Sequence, residues 1–188
     1  MIYLIVLGIF IVGFVIYTLI QGKQMDRDKE VRLKNISNNG FSTDVNFTVD
    51  GNSATICIDE DKERLIWIHN NGSNKVIPFN EIIGFEVLKN GNSVTKISKS
   101  GLIAGAIIGG GIGAIIGANS NKSTVEKITK LDLLLNLESI KDPVFKVNFY
   151  NNVEGNFSQR YLEVMEKWEG MMKIIMKRNA ENDGKIIS

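Results

Sequence analysis

Four acidic side chains crowd one short stretch: Asp59, Glu60, Asp61 and Glu63. Clustered carboxylates can hold a hard cation, but these have neither the spacing nor the turn glycine of a calcium loop. Lys62 and Arg64 interleave with them, so the expectation is a solvated hairpin turn. His69 is the only histidine and Cys57 the only cysteine. A single thiol excludes an intrachain disulfide, and one residue of each type excludes a zinc site built from several such ligands. Neither has a nucleophile–base partner pattern around it. His69 reads as a strand-end residue, and Cys57, between Ile56 and Ile58, as a residue without a nucleophilic task. The glycine-rich run has G-x-x-x-x-G spacings, but no Lys-Ser/Thr follows, which excludes a phosphate-binding loop. No catalytic, cofactor-binding or metal-binding set is expected, and the chain reads as a non-enzyme.

The residues that carry an interaction chemistry are glycines. Gly101, Gly105, Gly109, Gly113 and Gly117 stand four residues apart within the uncharged apolar stretch Gly101–Ala118. On a helix this spacing lines one face and opens a groove into which another backbone can pack. In water each interior glycine costs a helix about 1 kcal/mol relative to alanine. Lipid or tight protein packing must therefore order the segment. It is the expected membrane and self-association site.

The elements that must position it begin with Ile2–Ile20, nineteen residues almost wholly apolar. As a helix they span about 28 Å, enough for a hydrocarbon core of roughly 30 Å. A cleaved signal would carry a basic start, a shorter apolar core and a small-residue cleavage site, and none is present. Residues 1–21 are read as an uncleaved anchor. Lys23, Arg27, Lys29, Arg32 and Lys34 follow the span and no basic residue precedes it. The positive-inside bias then places the N-terminus outside and the rest in the cytoplasm, as a single-pass protein of the bacterial plasma (inner) membrane. Residues 22–40 read as a charged, solvated stalk continuing the helix, ended by Asn38-Asn39-Gly40. The net charge of +1 gives no bulk attraction to nucleic acid, and none is expected as a partner.

Beyond the stalk the apolar period becomes two. Candidate strands are Asp44–Val49, Ala54–Asp59, Arg64–Asn70, Lys75–Phe79, Ile82–Lys89, Thr124–Leu137 and Val144–Tyr150. Asp50-Gly51-Asn52, Asn71-Gly72 and Asn90-Gly91 supply turn chemistry between them. A helix from Ser158 to about Asn179 carries Tyr161, Leu162, Met165, Trp168, Met172, Ile175 and Met176 at three- and four-residue steps, one face that covers a core. Residues 180–188 read as a flexible tail.

Asp50-Gly51-Asn52 leading into Ile56-Cys57-Ile58-Asp59, then Leu65-Ile66-Trp67-Ile68, then Val76-Ile77-Pro78-Phe79-Asn80-Glu81-Ile82-Ile83 resembles bacterial and phage membrane proteins with pleckstrin-homology-like (PH-like) domains, some of which carry a glycine-rich apolar insert. The resemblance covers about 41–179. It implies an α+β protein: a transmembrane helix, a seven-stranded antiparallel β sandwich or barrel, a C-terminal capping helix and the insert at 101–118. It supplies no ligand residues.

If the strands flanking the insert pair, both its ends lie on one side of the membrane, and seventeen apolar residues are too few for two crossings. The leading expectation is a re-entrant helical hairpin. Gly105-Ala106-Ile107-Ile108-Gly109 recurs as Gly113-Ala114-Ile115-Ile116-Gly117, and Gly109, Gly110 and Gly111 mark the reversal. Lys96, Lys99, Lys122 and Lys127 flank it within reach of lipid headgroups. A single glycine-zipper span and a glycine-rich loop packed on the protein itself are the alternatives. The expected function is a membrane-anchored binding or scaffolding module that self-associates or contacts the bilayer, with membrane lipid, a second copy of the chain and a peptide or protein as partners. The alternative is a membrane-perturbing or pore-forming protein of toxin-like or phage-exclusion type.

Overall fold

The computed structural model describes residues 2–38, 40–42, 45–49, 53–103, 127–152 and 157–186. Helix α1 runs unbroken over Ile2–Asn38. Its apolar half is exposed, Phe10 by 74%, and the helix is long and apolar enough to cross a membrane. It stops where the sequence places the stop. Gly40 adopts φ +72, its N–H reaches Ser37 O at 2.9 Å, and Phe41 N reaches Ile36 O at 3.2 Å. That pair of bonds is a Schellman closure, and it needs a left-handed residue at Gly40.

Among the described residues eight strands follow in two antiparallel sheets. The first is a meander of β1 (Val45–Val49), β2 (Ala54–Asp59), β3 (Arg64–His69) and β4 (Asn74–Pro78), in the order β1-β2-β3-β4. A 3-10 turn, Phe79–Glu81, swings the chain into the second sheet. That sheet holds β5 (Ile82–Lys89), β6 (Asn92–Ser98), β7 (Lys130–Leu137) and β8 (Val144–Asn151), in the order β6-β5-β7-β8. Ile56, Leu65 and Ile77 from one sheet and Phe85, Leu133, Leu135 and Val147 from the other form the buried core.

A short helix α2 (Lys99–Ile103) leaves β6, and the long helix α3 (Gln159–Ile186) closes the domain. Leu162, Met165, Trp168, Met172 and Met176 of α3 are buried in the core, so the methionines serve packing. Asn179 pins α3 to the corner between the sheets, where its Nδ2 donates to Phe79 O at 2.6 Å and Ile82 O at 3.0 Å.

Three expectations are corrected. The sheets hold eight strands, not seven. Each of the seven candidates overlaps an observed strand, and Asn92–Ser98 is the eighth. It is an edge strand with only Thr95 and Ile97 buried, so it carries little apolar alternation. What sets it is the Asn90-Gly91 turn, with φ +51 and +84, the positive pair that a two-residue hairpin requires. Second, residues 180–186 are not a loose tail but the last two turns of α3. Third, the stalk is not wholly solvated: Arg32 and Ile36 are buried at 3% and 1% exposure.

Candidate functional site

The expected site is built on the connection from β6 to β7. Both strands pair antiparallel with β5, on its two sides. They are therefore parallel to each other, and the chain must travel from one end of β5 to the other between them. Ser98 pairs with Gly84 at the start of β5. The chain returns at Asn90, just beyond the end of β5. Gly84 and Asn90 are six residues apart, roughly 20 Å along a strand. Because β5 and β7 pair over seven positions, both ends of the connection belong to one sheet.

At the outgoing end, Ser98 Oγ accepts the Gly101 N–H at 3.1 Å and opens α2. Lys99 Nζ reaches Asp183 Oδ2 at 2.5 Å, tying α2 to the last turns of α3. Gly101 lies half-buried here. At the returning end, Asn90 is a clamp. Its Oδ1 accepts from Thr129 N at 2.9 Å, Thr129 Oγ1 at 3.1 Å and Lys130 N at 3.2 Å, and its Nδ2 donates to Lys127 O at 2.9 Å. Gly105, Gly109, Gly113 and Gly117, and the reversal at Gly109, Gly110 and Gly111, lie outside the described residues.

The second part of the site is the seat of α1 on the first sheet. Ile36 packs with Cys57 and Ile68, flanked by Leu33 and Phe41. Arg32 Nε donates to Thr55 Oγ1 at 2.9 Å, and its guanidinium also donates to Asn70 Oδ1. Burial lowers the pKa of Arg32, opposed by the charge of Asp28. Burial pushes the Cys57 thiol up to about 12, against a smaller opposing pull from Lys29. A thiol so protonated is a poor nucleophile. At the far end of this seat, Gly40 O accepts from Lys62 Nζ and from Arg64 Nη2, and the Arg64 guanidinium lies 3.8 Å over the Phe41 ring.

The helices share a direction. Asp26 and Lys29 of α1 line a cleft with Ser158 and Arg160 at the start of α3. Further along, Gly40 touches the β2–β3 turn through Lys62, and Arg178 of α3 reaches Glu60 in that same turn at 2.8 Å. Both run from the side of the domain where the apolar half of α1 ends toward the β2–β3 turn, and α2 lies beside Asp183.

The acidic cluster does not converge on one point. Asp59 pairs with Arg64 at 3.0 Å, and Glu60 pairs with Arg178. Among the described residues no group of His, Cys, Asp and Glu is placed to hold a metal ion. His69 accepts the Asn71 N–H at 3.4 Å and lies beside Trp67. Sequence reading missed Arg32 and Asn90 as positioning residues. Leu33 and Ile36 within a charged helix were the signal for the first, and the Asn-Gly turn for the second.

The sequence profile of the glycine-zipper-containing PH domain matches residues 43–151, more than half of the chain. The chain belongs to this family. The match takes in the two sheets and the β6–β7 connection with its glycines. A protein named "Immunity protein" of Bacillus phage SPbeta is 32% identical over 115 residues, covering 54% of this chain and 57% of that protein. The "SPbeta prophage-derived uncharacterized membrane protein YomJ" of Bacillus subtilis (strain 168) is likewise 32% identical over 115 residues, covering 54% and 51%. The chain thus spans about half the length of the curated relatives it matches. No solved structure matches.

Proposed function

We propose that the protein is a non-enzymatic module, anchored in the membrane by α1, that carries its glycine segment as a self-association element. One observation carries the choice of self-association over re-entry into the anchor's bilayer: α2, the root of the segment, stands beside Asp183, at the opposite end of α3 from Arg160 and the anchor. Twenty-three residues of helix separate Arg160 from Asp183, about 35 Å. An eight-residue helical arm reaches ~12 Å. Arms of that length leaving α2 fall short of the bilayer that holds α1, while the returning end of the segment, Lys127–Lys130, pairs beside Asn151 toward the start of α3. The arms can meet the same arms of a neighbouring copy, packing glycine face on glycine face. The basic residues after Ile20 favour a cytoplasmic domain.

The test is proximity labelling between copies of the full chain in membranes, with Gly109→Leu and Gly113→Leu as variants. Loss of copy–copy transfer in both, with the anchor still resisting alkaline extraction, is the expected result. Undiminished transfer overturns self-association through this segment.

A second reading is favoured by the name of the phage SPbeta relative: a phage-immunity role at the host membrane, exercised by membrane perturbation. It predicts that cells expressing the chain lose membrane potential and resist infection, and that Gly113→Leu abolishes both. An unchanged membrane potential under strong expression sinks the perturbation mechanism.

A further inference from the structure

Where α1 meets the domain, it encloses with the first turn of α3 a cleft of about 520 Å³ against β1. Lys29 and Arg160 line it from the two helices, Thr48 and Ser158 add hydroxyls, and Asp26 supplies its one carboxylate. Lys75, Lys96, Lys99 and Arg178 are each spent on an ion pair. Among the described residues Lys29 and Arg160 have no ion-pair partner. The cleft has a defined height above the bilayer. Asp26 and Lys29 follow Ile20 by six and nine residues, about 9 and 14 Å along the helix. The polar interface extends roughly 5–7 Å beyond the hydrocarbon edge, and a lysine that snorkels toward the bilayer closes the remaining gap.

We propose that this cleft takes the phosphate of an anionic phospholipid in the leaflet on the domain's side, with Lys29 and Arg160 as the cationic donors. Two cations less one carboxylate leave a single positive charge, matching the single negative charge of a phosphodiester. Thr48 and Ser158 provide hydroxyl donors for the remaining lone pairs. The site rests on α1 being a membrane anchor and is independent of self-association through the glycine segment. The shared chemistry of its ligands is a phosphate ester or anion. The lipid is favoured over soluble phosphate because one wall of the cleft is the anchor helix itself.

The experiment titrates the full chain in neutral detergent with short-chain phosphatidylglycerol, phosphatidylcholine or inorganic phosphate, and counts bound molecules by native mass spectrometry. One saturable phosphatidylglycerol is expected. Binding should weaken roughly thirtyfold in Lys29→Gln/Arg160→Gln, from the loss of two basic residues near a lipid headgroup. The control Arg27→Gln/Lys34→Gln, with the same charge change on exposed positions of α1, should leave binding unchanged. Arg160→Gln alone, at an exposed position in the first turn of α3, gives the intermediate loss should the double variant not fold. Equal weakening in the control pair reveals diffuse attraction and overturns the site. Displacement of the lipid by equimolar inorganic phosphate overturns the lipid as ligand. Alkaline extraction of the chain from membranes separately reports failure of the anchor reading.

Discussion

Arg32 of the anchor helix donates its Nε hydrogen to Thr55 Oγ1 at 2.9 Å, and both side chains are buried. The same guanidinium bonds Asn70 just past the end of β3. The long apolar helix α1 is therefore keyed to β2 and to the residue just past β3 in the first sheet. The domain does not swing on a free tether. With α1 as the proposed anchor, this seat sets the orientation of the domain relative to the apolar half of α1.

Arg32→Ala leaves the buried Thr55 and the exposed Asn70 without this partner, a loss of about 2 kcal/mol. Cys57 reports it directly, because the sole thiol lies under the same seat with Ile36 and Ile68. Alkylation of Cys57 in membrane-bound full chain should accelerate several-fold in Arg32→Ala. Arg32→Met should sit nearer the parent, since an apolar stem fills the seat without stranding a charge. Parent-like protection in Arg32→Ala removes Arg32 from the role of key.

The thiol also sets an alkaline limit. Its folded pKa is raised to about 12 by burial, above the roughly 8.5 of a free cysteine. Above that lower value the unfolded chain loses its thiol proton while the folded chain keeps it. The stabilisation is whole below about pH 8.5 and declines as pH rises toward 12. Denaturation midpoints from pH 8 to 10.5 should fall more steeply for the parent than for Cys57→Ala. Parallel slopes would falsify a buried protonated thiol.

The seven strand candidates were legible because residues such as Ile56, Leu65, Ile77, Phe85 and Leu133 alternate into one core with turn residues between. The capping helix was legible from Leu162, Met165, Trp168, Met172 and Met176. The eighth strand was not, because an edge strand buries little and Asn92–Ser98 offers only Ile97 as a buried apolar residue, with Val94 partly buried beside the core. The seat of α1 was illegible for a different reason. Arg32 lies in a charged run whose composition reads as solvated, and only its partners on β2 and after β3 reveal the burial. The glycine spacing marked the segment, but its root beside α3 depends on long-range contacts such as Lys99 with Asp183.

Asn90 combines two tasks that two substitutions separate. Asn90→Gly keeps the positive φ of the turn and removes the clamp on Lys127, Thr129 and Lys130. Asn90→Ala removes the clamp and strains a backbone at φ +51. Loss of the clamp should lower stability by about 1–3 kcal/mol, and alanine should lose roughly 1 kcal/mol more than glycine. Urea denaturation of the two variants checks the order. An alanine variant as stable as the glycine one shows that the turn tolerates other conformations.

Gly84 links the fold to the glycine segment. A Cβ at this position would stand 2.9 Å from the Ile97 carbonyl oxygen and 3.3 Å from Asn136 Nδ2. The first neighbour is backbone of the paired strand and cannot swing aside, so the strands must part. Overpacking of this kind costs about 1–3 kcal/mol. The strain falls on β6 at the point where it turns into α2, so Gly84→Ala should loosen β6 and α2 and spare β7 and β8. Hydrogen exchange should quicken at Thr95–Gly101 with little change at Leu133–Leu135. If the glycine segment joins copies, copy–copy transfer should fall in the same variant, because its root is no longer held against Asp183. Unaltered exchange at Thr95–Gly101 would show that β6 takes up a methyl group without moving, and that the close approach of Gly84 to Ile97 is not what holds the root in place.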